Sequence, residues 1–172
     1  VDMTEWHHYA YVRNETNVDF YVDGAYVDSG TLGANTPVRV DRFGARATTE
    51  FFDGQADDLR IYNRLLTASE ILELYNSGDV PTGGNYNLND GLLGYWKMDE
   101  TSGTTIADSS GNGNDGTLLG DTSGVTYSNP SPVNTALELP NTPANGNALR
   151  VQVADVFPAG TNLPFSVVMW YK

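Results

Sequence analysis

Short runs of alternating apolar and polar residues recur along the chain, and Gly, Asn, Asp, Pro and Ser separate them. Alternation with a period of two is typical of β-strands that bury one face. Many such runs at close spacing predict an all-β sandwich or barrel. The predicted strands are Trp6–Arg13, Val18–Val22, Ala25–Val27, Val38–Phe43, Leu59–Tyr62, Leu92–Met98, Gly116–Leu119, Ala136–Leu139, Leu149–Val153 and Phe165–Tyr171.

The clearest turn lies inside the apolar segment Phe20–Val27. Asp23-Gly24 stands at its centre, and Asp-Gly is a preferred pair for the two-residue turn of a β-hairpin. The segment therefore predicts two antiparallel strands joined by that turn.

One helix is predicted after residue 67. Thr67 and Glu70 have the spacing of a capping box, in which each side chain bonds the backbone N–H of the other residue. Ile71 and Leu74 follow at helical spacing, and Gly78 is a stop signal. We expect a helix of about three turns against one edge of the sandwich.

A stretch without periodicity follows the predicted helix. Residues 79–90 are rich in Pro, Gly and Asn, which is typical of a linker. This linker divides the chain into two halves, residues 1–78 and residues 91–172.

The length, the charge and the cysteine content of the chain argue against several classes of function. The chain has 172 residues, enough for one domain with a real core, and no apolar run approaches the roughly 20 residues that span a bilayer. No signal peptide is recognisable at its start. With 9 basic and 22 acidic residues the net charge is −13, which disfavours nucleic acid and direct membrane insertion. The absence of cysteine excludes disulfides, thiolate metal sites and cysteine catalysis.

Four passages of the sequence carry motifs that fit the strands, helix and loop of one kind of domain. Trp6–Tyr11 with Phe20–Gly24 forms one pair of strand motifs, and Gly54–Tyr75 has the pattern of a last strand and a terminal helix. Gly91–Gly116 has the pattern of an opening strand and the loop after it, and Phe165–Lys172 that of a strand midway through a domain. Together they resemble the laminin G-like, concanavalin A-like lectin/glucanase superfamily.

The resemblance implies an antiparallel jelly-roll β-sandwich with one short α-helix, but the halves are in reversed order. In the family, the type of half seen at residues 91–172 comes first, and here the chain stops within its predicted strand. Three interpretations fit: a window spanning two tandem repeats, a circular permutant, or half-domains of neighbouring chains that complete one another. A half-sandwich would leave unpaired edges and an apolar face that something must cover.

The carboxylate spacing argues against an enzyme. Glycoside hydrolases use two carboxylates placed across the sugar. Asp57-Asp58 and Asp99-Glu100 are adjacent pairs, so their side chains point to opposite faces of a strand. His7-His8 has the same geometry, so only one of the two can face inward. We expect no catalysis.

A calcium site is more plausible from the residue types. Residues 108–116 contain four Asx side chains and three glycines, and oxygen ligands on such a loop suit Ca²⁺. An ordinary Asx-rich turn is the alternative. Resemblance to Ca²⁺-binding family members favours one structural Ca²⁺, and the expected ligands are Asp108, Asn112, Asp115 and one of Asp57 or Asp58.

Sugar binding would need exposed aromatic side chains. Trp6, Trp96 and Trp170 lie inside strand patterns and are expected in the core. The remaining candidates for a sugar-binding surface are Tyr9, Tyr11, Tyr21, Tyr26 and Tyr127. Arg60 and Arg64 are expected to form ion pairs with Glu70, Glu73 or a nearby Asp.

The resemblance implies a non-catalytic structural or adhesive module of a repetitive surface or filament-forming protein, with polysaccharide as a further expected ligand. The expected partners are neighbouring copies or adjacent repeats, and the expected location is the surface of a prokaryotic cell. The alternative is a carbohydrate-binding module of a secreted polysaccharide-degrading enzyme.

Overall fold

A computed structural model describes residues 2, 4–32, 42–43, 45–46, 50–51, 53–77, 86–120, 122–139, 150–152, 156 and 164–172. Antiparallel strands dominate, with one α-helix, α1 (Ala68–Ser77), and a 3₁₀ turn at Thr122–Gly124. The strands are β1 (His7–Asn14), β2 (Asn17–Val22), β3 (Ala25–Thr31), β4 (Arg42–Phe43), β5 (Ala45–Arg46), β6 (Glu50–Phe51), β7 (Gly54–Tyr62), β8 (Leu92–Trp96), β9 (Thr105–Ile106), β10 (Gly116–Leu119), β11 (Thr126–Pro130), β12 (Thr135–Leu139), β13 (Arg150–Gln152) and β14 (Phe165–Tyr171). The predicted all-β class is confirmed.

The larger sheet has eight strands in the order β11-β12-β7-β14-β1-β2-β3, and β8 also pairs with β7. Strand β7 takes two partners along the same side: β12 pairs with its beginning and β8 with its end. A smaller sheet has the order β4-β13-β10-β9, and β5 and β6 form a separate hairpin.

The two halves of the sequence interleave within one chain. Strand β14, from the second half, lies between β1 and β7 of the first half, with His8 opposite Trp170 and Tyr62 opposite Ser166. Strand β8, also from the second half, extends the sheet beyond β7. Strands from both halves therefore pair in one sheet of a single chain, which is the arrangement expected of a circular permutant.

One hydrophobic core lies between the two sheets. Its buried residues come from both, which fixes the face-to-face packing of a sandwich. They are Ala56, Leu59, Ile61, Trp96, Met98, Ile106, Leu118, Leu137, Leu139, Val151 and Phe165.

A second core lies on the opposite face of the larger sheet, beneath the helix. Ile71 and Leu74 of α1 are fully buried there against β1, β7, β8 and β14. The capping box is confirmed: Glu70 N–H donates to Thr67 Oγ1 at 3.3 Å, and Thr67 N–H donates to Glu70 Oε2 at 2.8 Å. The predicted stop, Gly78, lies outside the described residues.

The predicted Asp23-Gly24 hairpin is also confirmed. Both residues have positive φ, 51° and 77°, as a type I′ turn requires. The turn lies against α1, where a Cβ on Gly24 would be 2.8 Å from Leu72 Cδ1. Gly24 is therefore needed for its conformation and for the space it leaves.

The structure bears on two boundaries predicted from the sequence, the start of β7 and the linker. Strand β7 begins at Gly54 rather than at the predicted Leu59, and Asp57 and Asp58 are buried within it. Of the predicted linker, residues 79–85 lie outside the described residues, and Asn87 accepts a turn hydrogen bond from Asp90 N–H at 3.0 Å.

Candidate functional site

The predicted calcium loop is organised by hydrogen bonds around Asp108. Its Oδ1 accepts the N–H groups of Tyr95 and Ser110, at 3.0 and 2.9 Å. Its Oδ2 accepts Asn114 N–H at 2.9 Å and the Ser110 hydroxyl at 2.8 Å. Partial burial works to raise the pKa of Asp108, but these donors outweigh it and hold the pKa below its ordinary value.

The other predicted loop ligands are engaged in the same way. The Asn112 amide donates to the carbonyl oxygens of Leu92 and Leu93, at 2.9 and 3.1 Å, and Asp115 Oδ1 accepts Asp108 N–H at 2.9 Å. The side chains of the loop thus close it along β8, from Leu92 to Tyr95.

This geometry does not fit a calcium site. Both Asp108 oxygens already accept two donors each, and Ca²⁺ would have to displace them. Within the described ranges, no group of three or more His, Cys, Asp or Glu side chains is placed to hold a metal ion. The calcium site stays a prediction, which a titration can test.

Asp57 and Asp58 lie in an irregular part of β7 opposite Val168 to Trp170. Asp58 has a φ of 53°, and the two side chains take different partners. Asp57 Oδ2 accepts the Ser131 hydroxyl at 2.5 Å, whereas Asp58 Oδ1 accepts the Tyr95 hydroxyl at 2.5 Å. Each residue is only 1% exposed, so neither carboxylate is accessible to a polysaccharide.

Asp57 is the more perturbed of these two acids. Burial, with the nearby charges of Asp58 and Asp99, raises the pKa of Asp57 to about 7, although the Ser131 hydrogen bond opposes the rise. Asp99 itself accepts the N–H and the hydroxyl of Thr135, at 3.1 and 3.0 Å. These acids therefore tie β7, β8 and β12 together.

The histidine pair divides as its spacing predicts. His7 Nδ1 and Asp23 Oδ2 are 2.7 Å apart, whereas His8 is fully buried with its ring 5.2 Å from that of Trp170. Neither ring nitrogen of His8 has a hydrogen-bond partner among the described residues. Burial, with the charge of Arg60 nearby, lowers the pKa of His8 to about 3.

An open apolar groove on the inner face of the larger sheet is a candidate binding surface. We call it the aromatic groove; it has a volume of about 350 Å³ and spans β14, β1, β2 and β3. The Tyr9 and Tyr171 rings stack at 4.6 Å, and the Tyr11 ring meets Phe20 edge-on at 5.3 Å. Its larger lining residues are Tyr9, Tyr11, Phe20, Tyr21, Met169 and Tyr171.

A comparison with protein families matches residues 1–72 to a laminin G model of the concanavalin A-like lectin/glucanases superfamily. Residues 1–72 are thus similar to this superfamily, and the match covers less than half of the 172-residue chain. Usherin of Rattus norvegicus is a similar protein, 35% identical over 88 residues, in an alignment that covers 46% of this chain and 2% of usherin. No solved structure matches the chain.

Laminin G-like domains are in general extracellular adhesive or binding modules without catalytic activity. In the part of the chain that the structure describes, no helix is long and apolar enough to cross a bilayer.

The aromatic groove is predicted only in part by the sequence. Of the five tyrosines proposed from sequence, Tyr9, Tyr11 and Tyr21 line it. Tyr26 lies beside it, with its ring 5.7 Å from that of Tyr21, and the Tyr127 hydroxyl donates to the Gly103 carbonyl elsewhere. Phe20 and Tyr171 were missed, and the alternation within β14 is the signal that places Tyr171 on the same face as Met169.

The core prediction is confirmed for two of the three tryptophans, and the ion-pair prediction is confirmed. Trp96 and Trp170 are buried, at 0% and 5% exposure, whereas Trp6 precedes β1 and is only partly buried. Arg64 pairs with Glu70 at 2.7 Å, and Arg60 lies 3.6 Å from Asp58 with its charge over the Tyr95 ring. Arg60 is fully buried, which the sequence did not indicate.

Proposed function

We propose that this laminin G-like chain is a non-catalytic adhesive module displayed outside the cell, and that its aromatic groove binds a neutral polysaccharide. The observation that carries the proposal is the groove itself. Three tyrosines and a phenylalanine from both halves of the sequence share one face of the sheet and line one open surface: Tyr9, Tyr11, Tyr171 and Phe20. Tyr21 borders this surface, but it packs against the core beneath the helix.

Stacking is the interaction that these side chains offer. Tyr and Phe rings present flat apolar faces, and such faces pack against the C–H faces of a sugar ring. Burial, followed by the charge of Tyr171 and a hydrogen bond with it, raises the pKa of Tyr9 to about 12. The Tyr9 hydroxyl therefore stays protonated at physiological pH, and its contact with Tyr171 holds the two stacked rings in place.

The charge of the chain favours an uncharged ligand. A net charge of −13 repels sulfated or uronic acid-rich polysaccharides, and the groove has no basic lining residue among those described. Neutral glycans avoid this repulsion.

The apolar walls imply weak binding by a single module. Few polar groups line the groove, so stacking supplies most of the affinity and hydrogen bonds supply little. Repetition in a surface protein would compensate, because linked weak modules gain avidity through a high effective concentration. This is why we place the module in a repetitive surface or filament-forming protein, with neighbouring copies or adjacent repeats as partners.

The non-catalytic part of the proposal rests on the acids. Asp57 and Asp58 are buried, and Asp108 is committed to its loop. None of them lines the groove. A carboxylate pair across a bound sugar, which glycoside hydrolysis needs, is absent from the described lining residues.

The test is binding of the full chain to a panel of neutral and anionic polysaccharides. We expect Tyr9→Ala and Tyr171→Ala each to weaken binding to a neutral glycan at least fivefold, from lost stacking worth about 1 kcal/mol. Tyr86→Ala is the matched control, because Tyr86 is an exposed tyrosine outside the groove. Equal losses in all three variants, or binding to anionic glycans alone, would overturn the proposal.

A further inference from the structure

The outermost strand of the larger sheet, β3, has an open edge. No described strand pairs with its outer side, and all seven of its residues are exposed. The opposite edge differs, since β11 is irregular in its pairing and ends in Pro130, two features that discourage strand addition. The sheet is therefore protected on one side and open on the other.

The register shows which backbone groups of β3 point outward. Leu32 N–H donates to Thr16 at 2.7 Å, and antiparallel ladders alternate between bonded and non-bonded pairs. Ser29 and Thr31, paired with Asp19 and Asn17, therefore direct their N–H and C=O groups away from β2. Consistent with this, Ser29 N–H is bonded to the Asp28 side chain, at 2.8 Å, and not to the ladder.

Apolar side chains are concentrated at this edge. Val27, at 57% exposure, and Tyr26, at 56%, are the most exposed large apolar side chains among the described residues, and both belong to β3. An added strand would cover them. The pairing of β2 with β3 is irregular near Val27, so the regular part of the edge is the stretch from Asp28 to Thr31.

Charge decides what kind of strand this edge can accept. Residues 14–31 contain four acids and no Lys or Arg, a net charge of 0 − 4 = −4. A second copy would bring the same acids against them and be repelled. A segment with Lys or Arg would instead meet Asp19 and Asp28, and a cation beside Asp28 would draw its carboxylate away from Ser29 N–H.

We propose that the outer edge of β3 is a docking site for an extended, positively charged segment of a partner protein, which adds to the sheet as a further strand. Backbone hydrogen bonds to Ser29 and Thr31 provide the pairing, and Asp19 and Asp28 select for basic side chains. The two surfaces share Val27, but the hydrogen-bonding groups of Ser29 and Thr31 lie outside the lining of the aromatic groove, and the docking does not depend on glycan binding.

The probe is a ten-residue peptide of alternating lysine and valine. Two matched peptides replace every lysine with glutamate, or the central residues with proline so that no strand forms. Fluorescence anisotropy measures their affinity for the full chain, and we expect both altered peptides to bind at least tenfold more weakly. Ser29→Pro should weaken the lysine peptide tenfold or more, because proline removes the outward N–H without removing a ladder bond, and Ser29→Ala should leave it unchanged.

A second measurement keeps the test independent of how Ser29→Pro folds. Addition of the lysine peptide to the wild-type chain should shift the amide resonances of Ser29 and Thr31 and leave those of β11 in place. Equal affinity for the proline-containing peptide would overturn the proposal in favour of charge attraction alone. An unchanged affinity in a folded Ser29→Pro variant, or a wild-type dimer whose interface is β3, would also overturn it. Glycan binding should be the same in Ser29→Pro and wild type, so failure here and failure of the groove proposal are distinguishable.

Discussion

The pH dependence of stability is governed by two buried groups that act in opposite directions. His8 has a pKa of 6.5 in the unfolded chain and about 3 when folded. The unfolded state therefore binds the extra proton, and the stability that neutral His8 allows is lost as the pH falls from about 6.5 towards 3. At pH 4 this loss amounts to about 3 kcal/mol, at about 1.4 kcal/mol per pH unit.

Asp57 changes the stability with pH in the opposite direction to His8. Its pKa is 3.8 when unfolded and about 7 when folded, so the folded state binds the extra proton. The stability that protonated Asp57 contributes is fully present below about pH 4 and is lost as the pH rises through 7. Between pH 4 and 6.5 the two slopes cancel, and these groups together leave the free energy of unfolding nearly flat.

Single substitutions should separate the two effects. In His8→Leu only Asp57 remains, so stability relative to wild type should rise by about 1.4 kcal/mol for each pH unit below 6.5. In Asp57→Asn only His8 remains, and stability relative to wild type should fall at the same rate over that range.

The assay is urea unfolding of the three proteins at half-unit steps from pH 4 to pH 8. The other carboxylates contribute equally to all three, so the differences between proteins isolate the two groups. Parallel stability curves for His8→Leu and wild type would refute the reasoning, because they would mean that His8 is not held neutral by burial.

Three further predictions concern the turn, the cap and the loop. Gly24→Ala should cost about 1 kcal/mol more than Gly113→Ala in chemical unfolding, because both glycines have φ near 77° but only Gly24 lies against the helix; equal costs would contradict that packing. Thr67→Ala should lower the unfolding free energy by about 1 kcal/mol through loss of the helix cap, and no change would mean that the capping box contributes nothing. Calcium should not raise the melting temperature, and a saturable rise would support the metal site instead. Asp108→Ala should lower the free energy of unfolding by about 2–4 kcal/mol, because the N–H groups that donate to Asp108 would lose their acceptor.

The features predicted correctly from sequence are those set by neighbouring residues. The Asp23-Gly24 turn follows from two residues that tolerate positive φ, and the helix start follows from the reciprocal bonds of Thr67 and Glu70. Alternation located most of the strands for the same reason, since each strand reports its own buried face.

The features missed depend on residues far apart in the chain. The predicted strand Leu59–Tyr62 did not include Asp57 and Asp58, because acids are rarely buried without partners. Their partners, Ser131 and Tyr95, lie 74 and 37 positions away. No local pattern links such positions.

The candidate sites also depend in part on contacts between residues that are far apart in the chain. The composition of residues 108–116 led us to expect a metal ligand at Asp108. In the structure, backbone N–H groups donate hydrogen bonds to both of its carboxylate oxygens. The aromatic groove combines Tyr9 of the first half with Tyr171 of the second, and their stacking depends on β14 pairing with β1. The spacing of tyrosines alone could not give that register.

The central claim is that one chain completes its own sandwich, with β14 between β1 and β7. Isotope-filtered NMR on a mixture of labelled and unlabelled chains tests it directly. We expect cross-strand contacts between His8 and Trp170 in the intrachain spectrum of a monomer, as the register requires. The same contacts found only in the interchain spectrum would mean that neighbouring copies exchange β14, and would contradict the account.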